Sequence, residues 1–213
     1  MRMSGLLISF EGTEGCGKTT QITRLAERLR TYGRSVKLVR EPGGTPIGEE
    51  IRHTLKHSQQ NHAMTAEAEL LLINASRAQL VREVIRPALA AGEIVLCDRF
   101  YDSTIAYQGY GRGLDLKLIH GVIDFAVGET RPRLTLLLEI SPETSAARLA
   151  ARQSGQPVTR DRFEEADRAF FERVAGGYKA LAAAEPGRVK VVDAAGSVDA
   201  VGEAVWEHVE TLV

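Results

Sequence analysis

The stretch Gly12-Thr13-Glu14-Gly15-Cys16-Gly17-Lys18-Thr19 constrains this chain more than any other. Its spacing is G-x-x-x-x-G-K-[ST], that of a phosphate-binding loop. The glycines let the backbone curl until successive N–H groups point into one concavity. Lys18 brings a mobile positive charge to the outer phosphates, and the Thr19 hydroxyl suits Mg²⁺, a hard cation that prefers oxygen. The flanks agree. Leu6-Leu7-Ile8-Ser9-Phe10 is a short apolar run that predicts a buried strand. Ile22, Leu25, Ala26 and Leu29 recur as one face of a helix. Strand, glycine loop and helix is the context such a loop needs, and the helix start adds its dipole to the phosphate site. A plain glycine turn is the alternative, and both flanks weigh against it.

Strand and helix alternate along the rest of the chain. Candidate strands cover 6–10, 36–40, 94–98, 134–140 and 189–193. Candidate helices cover 18–31, 47–56, 65–91, 116–127, 142–152, 163–184 and 198–212. This order predicts an α/β fold, a mainly parallel sheet with helices on both faces. A length of 213 residues suits one domain, 1–213, with a small insertion. A net charge of −1 argues against a nucleic-acid polymer as the main partner. Two cysteines, Cys16 and Cys97, do not make a secreted disulfide framework, and no apolar run reaches membrane-span length. Met1-Arg2-Met3-Ser4-Gly5 leads straight into the first strand, which predicts no signal peptide and a cytoplasmic protein. His53 and His57 stand one helical turn apart, but without a third ligand nearby they predict a solvated face. Val198, Val201, Val205, Val209 and Leu212 form a stripe that predicts core packing.

Residues that carry chemistry collect at the carboxyl ends of the predicted strands: Glu11, Arg40-Glu41, Asp98-Arg99 and Asp193. Open α/β sheets bind ligands at that edge. Asp98, closing an apolar strand, can hold the shell of a Mg²⁺ ion or the attacking oxygen, with Thr19 as the second metal position. Arg99 beside it either contacts a ligand or forms a simple salt bridge. Pro42, Gly43 and Gly44 place a tight turn after Arg40-Glu41. The segment from Asp98 to Gly109 mixes charge, aromatic rings and amides, which suits a heterocycle with hydrogen-bonding edges. Arg148, Arg152, Arg160 and Arg162 surround a polar Gly/Pro stretch and predict a mobile lid, about 148–162, able to neutralise a phosphoryl group in transfer.

With these pieces in order, the chain resembles the bacterial thymidylate kinases, P-loop kinases that phosphorylate dTMP with ATP. Phe10-Glu11-Gly12, Arg40-Glu41-Pro42-Gly43-Gly44-Thr45, Asp98-Arg99 through Tyr107-Gln108-Gly109, and Arg160-Asp161-Arg162-Phe163-Glu164 carry the resemblance. It implies a five-stranded parallel sheet with a lid, usually in a homodimer. It implies that Gly12, Thr13, Glu14, Gly15, Cys16, Gly17, Lys18, Thr19, Thr20 and Arg148 serve ATP, with Mg²⁺ on Thr19 and Asp98. Arg40 and Arg99 would grip the dTMP phosphate, and Glu14 would sit near the sugar 3′-hydroxyl. Arg77, Thr104, Tyr107 and Gln108 would line the base pocket, and Lys18, Arg152, Arg160 and Asp98 would act on the transferred group. Gly15 stands where one subclass of the family carries a catalytic arginine, so the subclass with lid arginines fits.

Three positions depart from the family pattern. Ile73 stands where the family stacks a Phe on thymine, so either dTMP binds more weakly or Phe100 or Tyr107 takes over the stacking. Residues 153–159 lengthen the lid, and Cys16 replaces a smaller loop residue. Other nucleotide kinases share this core. A GTPase-type switch is the rival from another class: Asp193-Ala194-Ala195-Gly196 matches D-x-x-G, but the chain has no N-K-x-D guanine-reading motif.

Overall fold

A computed structural model describes residues 5–58, 60–153 and 168–213. Its strands are β1 (Leu6–Glu11), β2 (Val36–Arg40), β3 (Ile94–Asp98), β4 (Leu134–Glu139) and β5 (Val189–Asp193). Its helices are α1 (Lys18–Thr31), α2 (Pro46–Lys56), α3 (Ala66–Leu80), α4 (Arg86–Ala90), α5 (Tyr101–Thr104), α6 (Leu116–Val127), α7 (Pro142–Gln153), α8 (Arg168–Ala184) and α9 (Val198–Val209). The strands form one five-stranded sheet, ordered β2-β3-β1-β4-β5 and parallel throughout. The α/β expectation holds.

Strand periodicity divides the apolar residues between two cores. Leu7, Val95, Cys97 and Leu137 pack on one face beneath residues of α3, α6 and α8. Ile8, Phe10, Leu96, Leu136 and Leu138 pack on the other beneath α1 and α9. The predicted face of α1 is the buried one: Ile22, Leu25, Ala26 and Leu29. In α9 the stripe holds for Val201, Val205 and Val209, while Val198, just past the Ser197 cap, is exposed.

Two stretches differ from the sequence reading. The predicted 65–91 helix contains a wide π-helical turn, Val81–Ile85, between α3 and α4. Residues 101–111, for which the sequence predicts no helix, form α5 and a π-helical continuation, Ile105–Gly111. This helix carries no apolar stripe because its buried side includes Asp102, Thr104 and Gln108. Arg188 holds it to the sheet through two bonds to the Asp102 carboxylate, 2.7 and 2.8 Å. The predicted 163–184 helix is described from Arg168 onward. Among the described residues no helix is long and apolar enough to cross a membrane.

Register sets the position of the site. Phe10 of β1 and Arg40 of β2 both lie level with Asp98 of β3. Three adjacent strands therefore end together, and their following residues open onto one edge. Asp193 ends the outer strand β5, and its carboxylate accepts from the Ala195 amide at 2.9 Å.

Candidate active site

The glycine loop wraps the start of α1. Gly12 has φ 131°, and a Cβ there would stand 2.3 Å from the Leu138 carbonyl oxygen, so no other residue fits. Gly17, at φ 94°, caps α1 in the left-handed region. Lys18 Nζ donates to the Gly12 and Thr13 carbonyls at 3.0 and 2.9 Å and stays over the loop. Thr19 Oγ1 donates to Asp98 Oδ2 at 2.9 Å, which brings two hard oxygen groups together. From the far side α7 braces the loop: Ser145 Oγ donates to the Glu14 carbonyl at 2.7 Å, and Arg148 to the Gly15 and Ala194 carbonyls.

A cavity of about 300 Å³ runs from this loop toward α3 and α5. Glu14, Gly15, Gly17, Lys18, Thr19 and Thr20 line one end. Arg40, Ile73, Arg77, Asp98, Arg99, Thr104, Tyr107 and Gln108 line the rest. Gly12, Thr13 and Cys16 are not among its lining, and Cys16 is buried under the loop with its sulfur 3.5 Å from Lys18 Nζ. Arg152 ends in α7 and its side chain is not described; Arg160, Arg162 and most of the predicted lid lie outside the described residues.

Arg99 is the one non-glycine residue with positive φ among those described, at 67°. Such a backbone costs on the order of 1–3 kcal/mol and persists only where the surroundings over-determine it. Here they do. Its amide donates to the Phe10 carbonyl at 3.0 Å, and its guanidinium reaches Glu14 at 2.7 Å, Ser103 at 3.1 Å, and Tyr107 and Tyr178 at 3.3 Å. Burial works against the Arg99 charge, yet Tyr107 and Glu14 keep its pKa well above the ordinary value. Burial would raise Glu14, but Arg99 and Lys18 outweigh it and hold the carboxyl below its usual range.

Behind Arg99 lies Glu11, which takes the Phe100 amide at 2.7 Å and the Tyr178 hydroxyl at 2.9 Å, and also the Ser103 hydroxyl. Burial, with the Asp102 carboxylate, pushes the Glu11 pKa up to about 7 against the pull of Arg99. Its signal in the sequence was the strand end, which located Glu11 without revealing these partners.

Arg77 is 1% exposed, and the protein engages its whole guanidinium. Nε donates to Glu41 Oε2 at 2.8 Å, Nη1 to Asn74 Oδ1 and Thr104 Oγ1 at 2.9 Å each, and Nη2 to the Phe100 carbonyl at 3.2 Å while standing 2.6 Å from Glu41. Burial raises the Glu41 carboxyl, and Arg77 opposes it. Glu41 Oε1 is buried without a hydrogen-bond partner beside the cavity. Arg40 pairs with Glu49 at 2.8 Å. Glu41, Phe100, Ser103, Arg52, Lys56 and Leu149 also line the cavity. The sequence marked Glu41, as a strand-end carboxylate, and Phe100, as an alternative stacking ring. Arg52 and Lys56 read only as polar residues of α2, with no local signal of their direction. His53 on α2 and His57 just past its end, rings 6.0 Å apart, are exposed, and among the described residues no cluster of three or more His, Cys, Asp or Glu side chains could hold a metal.

Residues 10–205 match the sequence profile of the thymidylate kinase family. The chain is 50% identical over 200 residues to a thymidylate kinase of Syntrophotalea carbinolica, covering 93% of this chain and 92% of that one. It is 50% identical over 193 residues to one of Pseudomonas syringae pv. syringae, covering 91% and 89%. Its fold is similar to the crystal structure of thymidylate kinase from Ehrlichia chaffeensis, with TM-score 0.79 and 32% identity, covering 97% and 99% of the two chains.

Proposed function

The chain belongs to the thymidylate kinase family and transfers the γ-phosphoryl group of ATP to dTMP, giving dTDP and ADP for DNA precursor synthesis; from that premise we propose how its residues divide the work. The observation that carries the assignment is a single cavity with an anion-binding loop at one end and an aromatic and amide-lined pocket at the other. ATP phosphates occupy the Gly12–Thr20 loop, with Lys18 on the outer oxygens and Arg148 bracing the loop. The dTMP phosphate lies between Arg40 and Arg99, its sugar near Glu14, and its base among Ile73, Arg77, Thr104, Tyr107 and Gln108.

A phosphate monoester is already anionic near neutral pH, so transfer needs positioning and charge neutralisation rather than a strong base. Thr19 and Asp98 suit Mg²⁺, which takes one or two protein oxygens and otherwise keeps water and substrate phosphates. When bound, the ion would neutralise charge on the phosphate oxygens. Arg152, at the end of α7, and Arg160 are the lid groups that the family pattern points toward the transferred phosphate; Arg160 lies outside the described residues.

The enzyme works in the cytoplasm as a homodimer. Supporting the dimer, Leu71 on α3 and Leu118 and Phe125 on α6 leave an apolar face exposed, Phe125 at 84%, and α3 packs beside α6. The test of the activity is ADP release, coupled to a reporter, with dTMP, dUMP, dCMP, AMP and thymidine offered in parallel with and without Mg²⁺. dTMP should lead. dUMP should follow, because a missing methyl group gives only about 1–3 kcal/mol of discrimination. Equal turnover of AMP would overturn the assignment.

A further inference from the structure

We infer that Glu69 selects the base without touching it: it fixes the direction of the Gln108 amide, so that the pocket accepts a pyrimidine whose N3 carries hydrogen. The inference rests on the thymidylate kinase reading and concerns how the same pocket tells its substrate from a cytidine nucleotide.

Glu69 lies in the first turn of α3 and is fully buried. Its carboxylate receives Arg112 Nη2 at 3.0 Å and Nε at 3.2 Å, and Gln108 Nε2 at 2.8 Å. An ion-paired carboxylate can only accept hydrogen bonds. The Gln108 amide must therefore turn its NH₂ toward Glu69, which leaves Oε1 on the other side as the acceptor Gln108 can offer a ligand. Gln108 is 1% exposed and lines the cavity, so this carbonyl is an acceptor in need of a donor.

Four residues earlier, Thr104 also lines the cavity. Its oxygen accepts from Arg77 Nη1 at 2.9 Å, and Arg77 is itself held by Glu41. With its oxygen so engaged, the Thr104 hydroxyl has its hydrogen left to give. One helical segment thus presents a donor and an acceptor one turn apart, each set by a buried ion pair. Thymine and uracil show an N3–H donor beside an O4 acceptor. Cytosine shows an N3 acceptor beside N4–H donors. The first pattern meets both protein groups; the second sets the N3 lone pair against the fixed Gln108 carbonyl. The 5-methyl group takes no part in this pairing.

The experiment measures kcat/KM for dTMP, dUMP and dCMP with the full-length enzyme and its Glu69→Gln variant. Glutamine at 69 can donate as well as accept, so the Gln108 amide loses its fixed direction. The dTMP:dCMP ratio should fall by about tenfold or more, the scale of a misplaced buried hydrogen bond. The dTMP:dUMP ratio should stay within about twofold, since no partner of the methyl group has changed. A dTMP:dCMP ratio equal to wild type overturns the inference. So does a proportional loss on all three substrates, which is the mark of a merely structural residue. The double variant Glu69→Met/Arg112→Met removes the ion pair as a unit, an exchange that folded proteins commonly tolerate; it should lower the same ratio, and serves if the single variant does not fold. A wild-type enzyme that does not prefer dTMP sinks the kinase reading instead, whatever Glu69 does.

Discussion

At the end proposed for phosphate the cavity draws on neighbours in the chain, Glu14, Gly15 and Gly17 to Thr20; the end proposed for the nucleoside is assembled from Arg40 on β2, Ile73 and Arg77 on α3, Arg99 after β3, and Thr104, Tyr107 and Gln108 on the following helix. The first end is mostly backbone, shaped by glycines and by one helix start. The second is mostly side chain, and buried or partly buried ion pairs hold its rotamers: Arg77 with Glu41, Arg112 with Glu69, Arg99 with Glu14. A loop that binds through backbone N–H groups tolerates change in its side chains. A pocket that binds through side chains depends on residues behind it that never reach the ligand.

The largest expected effect strikes the nucleoside end. Glu41→Ala leaves the Arg77 charge buried and unpaired, which should cost about 3–5 kcal/mol of stability. Denaturant unfolding checks it; a loss below about 1 kcal/mol would mean the pocket does not rest on that ion pair. At the phosphate end, Lys18→Ala should leave the fold intact and reduce turnover by about 10²–10³-fold, as for loss of one preorganised charge-stabilising donor. dTMP affinity should change little, which calorimetry checks alongside the rate. A normal rate would refute the loop as the ATP phosphate site.

Between the two ends stands Glu11. Burial, with Asp102, raises its carboxyl from 4.5 to about 7, so the folded protein holds a proton that the unfolded chain has released. Its contribution to stability is therefore complete below about pH 4.5 and lost as pH rises through about 7, on the order of 3 kcal/mol. Urea midpoints of wild type and Glu11→Gln from pH 4.5 to 8 should show that slope in the first and its absence in the second. Parallel curves would show that Glu11 ionises as it does in the unfolded chain.

The smallest effect concerns Ile73, which lines the cavity. Ile73→Phe should tighten dTMP binding by about 0.5–1.5 kcal/mol, the stacking contribution of an aromatic pair. Unchanged affinity in a titration would mean that another ring, Phe100 or Tyr107, already does this work.

Legibility in the sequence follows the same division. The glycine loop, the buried face of α1 and the strand ends at Glu11, Arg40 and Asp98 could all be read, because each is a pattern over neighbouring residues. The helix at 101–111 could not. Its buried side mixes Asp102, Thr104 and Gln108 with Tyr101, Ile105 and Tyr107, and the groups that satisfy Asp102 lie far along the chain, Thr135 on β4 and Arg188 just before β5. Asp193, at a strand end like the others, stays out of the cavity because β5 lies beyond β4, on the side of β1 away from β3 and β2.

By itself the sequence determined the parallel α/β plan and the anion-binding loop, since apolar periodicity and glycine backbone freedom act over a few residues. Only the tertiary structure decided which charges pair across 36 residues, Arg77 with Glu41, and across 43, Arg112 with Glu69. Those pairings depend on packing that brings α3 against the ends of β2 and β3 and against the 101–111 helix. A charge removed from water is stable only beside a partner, and which partner lies within reach is a property of the folded chain.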